Sequence, residues 1–293
     1  MDDRRTRVLV TNDDGIRAPG LRWLARAAYE RGLDVVVAAP SEEASGMGAA
    51  LSAVTDDGRV VLTGTGLAGL AGVPAYAVAA SPAYIAVLAG LGAFGPPPDV
   101  VLSGINRGAN AGHALLHSGT VGAALTAANH GARAMAVSLD VLYPAVASAG
   151  SGGAAIAVLD TVDDEARNWA TAAELTGWLL PWLVGADPGT VLNLNVPDVP
   201  VAGVAGLRQA TLAPFGQVQM TIVESGRDHV RTTIEENRAD PVPGSDLAWL
   251  AEGYAAVTAV GPPGYAPEVT VPTGWRPAPS GAGRPGQPCG QRE

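Results

Sequence analysis

Two adjacent carboxylates, Asp13 and Asp14, follow the apolar run Val8-Leu9-Val10 and the polar pair Thr11-Asn12, and Gly15 closes the turn. Carboxylates this close repel one another unless a cation or hydrogen-bond donors compensate them. A hard divalent metal bound by oxygen ligands meets that need. The plainer use of the same residues is to cap the helix that follows. Three further polar loops carry comparable groups: Ser41-Glu42-Glu43-Ala44-Ser45-Gly46-Met47-Gly48, Ser103-Gly104-Ile105-Asn106-Arg107-Gly108-Ala109-Asn110 and Ser118-Gly119-Thr120. The last two suit a phosphate group. Glycines let backbone N–H groups approach an anion, and a helix N-terminus adds its dipole. Ser118 and Thr120 add hydroxyls, and Arg107 suits a phosphate oxygen. Either Ser118 or Thr120 also fits an ordinary helix N-cap. Neither a Gly-Lys-Ser/Thr phosphate loop nor a G-x-G-x-x-G fingerprint is present.

His113 and His117 lie one helical turn apart without the glutamate-bearing signature of a zinc site. His117 adjoins Ser118 and is a candidate substrate contact or acid. His130 and His229 read as structural, and Asp56-Asp57 and Asp163-Asp164-Glu165 as solvated turns.

These groups need elements to hold them. Strands are expected at Arg7–Thr11, Val35–Ala39, Val100–Leu102, Ala134–Ser138 and Val191–Val196. Helices are expected at Leu21–Glu30, Pro82–Leu91, Gly122–Asn129 and Ala170–Leu183, with a small-residue linker at Ser148–Gly153. Short apolar runs alternating with helical patterns argue for a doubly wound parallel α/β sheet, whose ligands bind at the carboxyl ends of the strands. All four polar loops sit at such ends. From Leu207 to Ile234 extended segments with turns at Phe215-Gly216 and Gly226-Arg227-Asp228 read as an antiparallel arm suited to subunit contact. A short helix at Asp246–Ala251 and a strand at Ala255–Val260 return to the core. The organisation expected is a catalytic core over 1–200, an arm and return over 201–260, and a Pro/Gly-rich disordered tail over 261–293.

Composition narrows the function classes. The chain has 293 residues, 47% hydrophobic, which is ample for a large core, and a formal net charge of −10. All its basic residues are arginine, and none form a run that could follow a phosphate backbone, so polymeric nucleic acid is not an expected partner. The single cysteine, Cys289, allows neither a disulfide framework nor a zinc cluster. No apolar stretch reaches membrane-spanning length, and a cytoplasmic protein is expected.

Several motifs in order resemble one family. Val8 to Ile16 followed by Ala18-Pro19-Gly20, Ala39-Pro40 with Ser45-Gly46, Pro98 to Asn110, and Ser118 to Ala124 resemble successive signatures of the SurE family of metal-dependent nucleotidases and phosphatases. Asn193-Leu194-Asn195-Val196-Pro197, Gly244-Ser245-Asp246, Gly253-Tyr254 and Val257-Thr258 continue the likeness, which spans about Arg7 to Val260. The resemblance implies a Rossmann-like core and a smaller C-terminal part that exchanges an arm in a homodimer or homotetramer. It implies Mg²⁺ or Mn²⁺ held by Asp13, Asp14, Ser45 and Asn106, and a phosphate pocket of Gly104, Asn110, Ser118, Gly119 and Thr120. Asn12, Arg107 and His117 complete the expected substrate contacts. The implied activity is hydrolysis of nucleoside monophosphates, with Asp13, Asp14 and Asn106 at the chemistry. A nucleotide-binding or regulatory protein without turnover, a specialised biosynthetic phosphatase and a group transferase are the other readings. His117 replaces a usual tyrosine, His113-Ala114 usual acidic residues, and Thr126 a usual glutamate. Ser81-Pro82-Ala83-Tyr84-Ile85 also departs from the pattern, so the substrate is less determined than the reaction.

Overall fold

The computed structural model describes residues 4–44, 46–142, 163–236 and 240–261. In chain order, β1 (Arg7–Thr11) leads through α1 (Pro19–Tyr29) to β2 (Asp34–Pro40). A small hairpin of β3 (Thr55–Asp56) and β4 (Arg59–Val60) precedes β5 (Leu62–Thr65) and β6 (Ala75–Val78). Next come α2 (Pro82–Gly90), β7 (Val100–Arg107), α3 (Gly119–Asn129) and β8 (Arg133–Asp140). The remainder is α4 (Trp169–Gly185), β9 (Val191–Pro197), β10 (Leu207–Gln209), β11 (Val218–Ser225), β12 (Val230–Glu236), α5 (Asp246–Ala251) and β13 (Ala255–Val260). The expected linker at Ser148–Gly153 and the tail after Gly261 lie outside the described residues.

Nine strands form one sheet in the order β10-β13-β9-β8-β7-β1-β2-β6-β5. From β9 to β6 every pairing is parallel, while β13 runs antiparallel to β9 and β5 antiparallel to β6. The chain winds from β1 outward through β2 to β6, then returns to the other side of β1 with β7, β8 and β9. Where the winding reverses, the loops after β1 and β7 diverge and leave a crevice between their carboxyl ends.

Successive residues of a strand point to opposite faces, and here both faces are covered. Val8 and Val10 pack with Leu21 and Leu24 of α1 and Leu180 and Leu183 of α4. Leu9 packs on the other face with Ile85 of α2 and Val121 and Ala124 of α3. Burial on both sides explains why these strands read as unbroken apolar runs. A smaller cluster of Ala210, Ala213, Leu247, Leu250 and Ala256 seats α5.

The structure departs from the sequence pattern in two places. No strand is expected between β2 and α2, yet β3 to β6 lie there. β5 is exposed throughout and carries no apolar signature, and β6, though apolar, is only four residues long. β7 runs through Ser103-Gly104 to Arg107, with its register against β8 shifting between Ser103 and Asn106. The antiparallel excursion is present as a ribbon of β11 and β12, closed by Gly226 donating to the His229 carbonyl. Met220 and Ile222 are exposed on it. Among the described residues no helix is long and apolar enough to cross a membrane.

Candidate active site

The loop after β1 is built first by Asn12. Its buried carboxamide donates to the Gly15 carbonyl at 3.0 Å and accepts from the Gly15 N–H at 3.2 Å, so both ends serve the turn. Asn12 thus braces the loop from inside. The turn leaves Asp13 and Asp14 at the crevice. Neither caps α1: its N-cap is Ala18, with no side-chain hydrogen bond, and Pro19 opens the helix. The capping reading of the paired aspartates is therefore removed.

Asp13 is fastened on three sides. Its carbonyl accepts from the Ala44 N–H at 2.7 Å, which draws in the second loop. Its Oδ1 accepts from the Thr120 hydroxyl at the start of α3. Gly119 lies so close that an added Cβ would stand 2.8 Å from Asp13 Oδ2. Burial pushes the Asp13 carboxyl above its ordinary pKa, against the Thr120 hydrogen bond, which favours ionisation. Asp14 is pushed up to about 7, first by burial and then by the charge of Asp13, while the Arg107 backbone N–H works in the opposite direction. Asp14 Oδ2 is buried with no hydrogen-bond partner.

The third loop enters from β7. Thr11 and Ser103 are register partners, so the two strand ends lie side by side. Gly104, at φ +135°, passes so close to β8 that a Cβ would overlap the Val137 carbonyl. Asn106 then donates its amide to the Gly108 carbonyl at 2.8 Å, leaving Oδ1 as its acceptor. Asn110 donates its own amide to Ser138 Oγ at 2.9 Å. Arg107 contributes its backbone N–H to the site, but its exposed guanidinium lies 3.7 Å from Asp164. Asp164 also accepts from Arg167 Nε at 2.8 Å and Glu165 pairs with Arg22 at 2.6 Å, so these acids are ion-paired and not merely solvated.

Ser118 takes the capping role: its Oγ accepts from the Val121 N–H at 3.1 Å, and the residue is buried. His113 and His117 are exposed on the 3-10 turn Gly112–His117. Ser45 lies outside the described residues. The structure thus brings together Asp13, Asp14, Thr120, Gly119 and the backbone of Arg107, and sets Asn12, Ser118 and the Arg107 side chain to other tasks. Sequence reasoning passed over Asn193 and Asn195 as site residues. Their signals are the family-like Asn193-Leu194-Asn195 motif and two carboxamides inside an otherwise apolar parallel strand, both fully buried.

The family-level description "Survival protein SurE" matches residues 8–217. The chain belongs to the SurE family. A relative named 5'-nucleotidase SurE 1, from Burkholderia lata, is 35% identical over 260 residues, covering 86% of this chain and 89% of its own. The 5'/3'-nucleotidase SurE of Escherichia coli O157:H7 is 32% identical over 258 residues, covering 86% and 88%. The crystal structure of the SurE protein from Aquifex aeolicus superposes with a TM-score of 0.63 at 24% identity, over 87% of this chain and 93% of that one. That likeness supports the SurE-type α/β fold described above.

The donor set fits a hard divalent cation. Two carboxylates held above their ordinary pKa by burial and mutual repulsion, one with an orphaned oxygen, are what an oxygen-liganded ion would compensate. Among the described residues no group of three or more His, Cys, Asp or Glu is placed to hold a metal ion, so further ligands here would be amide, hydroxyl or carbonyl oxygens. One consequence concerns stability in chelator. A carboxyl whose folded pKa exceeds its unfolded value binds more protons when folded, so stability falls as pH rises between the two values. For Asp14 that window runs from 3.8 to about 7. Asp14 should cost the metal-free protein on the order of 4 kcal/mol across it, Asp13 adds in the same direction, and Asp14→Asn should abolish the share due to Asp14. Urea unfolding at several pH values measures both. A pH-independent midpoint in the unsubstituted protein would remove the repulsion inferred here.

Proposed function

We propose that this chain hydrolyses phosphate monoesters, nucleoside 5'- or 3'-monophosphates foremost, at the crevice between β1 and β7. The observation that carries this reading is buried Asp13, hydrogen-bonded to Thr120 in the first turn of α3, with Asp14 beside it holding one buried oxygen unpartnered. In it Asp13, Asp14 and Asn106 Oδ1 would hold Mg²⁺ or Mn²⁺, and the family resemblance adds Ser45 to that set. When bound, the ion would supply charge neutralisation and Lewis acidity at the reacting phosphoryl group. Without it the crevice repels a phosphate, because Glu43 adds to the negative potential at both aspartates.

The chain's own groups do the rest. The Gly119 and Thr120 N–H groups at the start of α3 bind phosphate oxygens, with the helix dipole behind them. Ser118 holds that turn in shape, and Gly104 and Asn110 form the opposite wall. Asp13, positioned by Thr120, orients the attacking water, and Asp14 accepts its proton. His117, exposed at the rim, contacts the leaving group. Arg107 contributes through its backbone N–H unless it leaves Asp164. Asn12 stays a brace. The exposed ribbon of β11 and β12 supports a homodimer or homotetramer, since a lone two-stranded ribbon is marginal in water.

Phosphate release from nucleoside monophosphates and sugar phosphates, with Mg²⁺, Mn²⁺ or chelator, tests the reading. Release that requires metal and stops in chelator is expected. Metal-dependent nucleotide binding with no release from any ester would replace hydrolysis with a binding role.

A further inference from the structure

Asn110 sits in the loop that leaves β7, where its backbone N–H and C=O have no strand to pair with. Side chains of β9 answer both. Asn195 Oδ1 accepts from the Asn110 N–H at 2.8 Å, and Asn195 Nδ2 donates to the Asn110 carbonyl at 3.1 Å. Asn193 Nδ2 donates to the same carbonyl at 2.7 Å. One carboxamide thus imitates the two-bond bridge of a neighbouring strand, and the second reinforces it. The Asn110 side chain ties the loop to Ser138 on β8, which pairs in register with Asn106 on one side and Asn195 on the other.

These carboxamides are costly residents. Both are fully buried, and Asn193 Oδ1 has no hydrogen-bond partner. A β-branched apolar residue would serve the strand better, so the retained amide nitrogen points to a task in the loop. Two strand spacings separate β9 from β7, roughly 10 Å, so neither residue reaches a group held beside Asn106. Their effect must pass through Asn110.

We propose that Asn193 and Asn195 are positioning residues that hold the Asn110 loop, which follows Asn106 out of β7, as a wall of the phosphate cradle. The proposal rests on the phosphomonoesterase reading above and names what sets its phosphate-binding geometry.

Asn195→Ala and Asn193→Val test it. Calorimetric titration with inorganic phosphate in Mn²⁺ should show affinity weakened about tenfold or more in each, with kcat/KM lowered to match. Mn²⁺ affinity measured without phosphate should stay within about twofold, because Asp13 and Asp14 are untouched. The Asn110 amide should exchange its hydrogen faster in Asn195→Ala, while Asn193→Val, relieved of an orphaned oxygen, should keep its melting temperature. Unchanged phosphate affinity in both variants overturns the proposal, as does a lower melting temperature with unaltered kinetics in the folded fraction. Failure of the parent protein to bind phosphate overturns it too. The hydrolytic reading is judged separately: full turnover by Asp13→Asn would sink that reading, while phosphate titration and amide exchange still decide the clamp.

Discussion

Asp13→Asn should yield a folded protein whose phosphate release falls by at least about a thousandfold, equivalent to about 4 kcal/mol of transition-state stabilisation. The substitution is nearly isosteric, and the amide oxygen can still accept from Thr120. What disappears is the charge, in a position where burial already raises the carboxyl's pKa. Removing a desolvated charge does not destabilise the metal-free fold, so the melting temperature in chelator should hold or rise. With Mn²⁺ present the unsubstituted protein should gain thermal stability with the logarithm of metal concentration above its Kd, and the variant should gain little. Paired measurements of kcat/KM and melting temperature with and without Mn²⁺ separate lost chemistry from lost structure. Turnover within threefold of the parent would take Asp13 out of the mechanism.

Asp246→Ala should unfold the protein more than any change at the site itself, by about 3–5 kcal/mol. Asp246 is fully buried, and its carboxylate collects three backbone N–H groups: Gly112 at 2.7 Å, Ala213 at 3.0 Å and Leu247 at 2.9 Å. Each would otherwise be a buried donor without a partner, at about 1–3 kcal/mol apiece before relaxation. Gly112 opens the 3-10 turn that ends at His117, so the same carboxylate registers the approach to α3. Activity should therefore fall along with stability. Asp246→Asn keeps one acceptor oxygen and should lose less. Urea unfolding of both variants provides the measure, and a loss below about 1 kcal/mol for alanine would mean that water replaces the carboxylate.

The parallel strands were legible because burial on both faces leaves uninterrupted apolar runs, and their loops were legible because glycine and paired carboxylates stand out against alanine and valine. β5 was not, since an exposed antiparallel edge needs no hydrophobic residue to hold it. The extension of β7 through Ser103 to Arg107 was hidden by polar residues and a glycine that pack only because β8 lies beside them. Asp13 and Asp14 were ambiguous until the start of α1 showed a helix capped by neither. Asn12, Ser118 and Arg107 were read by chemical type, which says what a side chain can bind and not which neighbour claims it first. Asn193, Asn195 and Asp246 stood in family-like motifs, but their roles were the least readable. Their partners lie 83, 85 and 134 residues away, and only the closed sheet brings them within reach.

Gly119 presents hydrogen alone toward Asp13, so strand end and helix start meet almost backbone to side chain, with no freely rotating group between them. The carboxylate therefore has few alternative rotamers to surrender when a ligand arrives. Little ordering entropy remains to be lost at the centre of the crevice, and affinity there is set mainly by charge and desolvation. Any larger residue at position 119 would trade that rigidity for a displaced aspartate, however conservative its polarity.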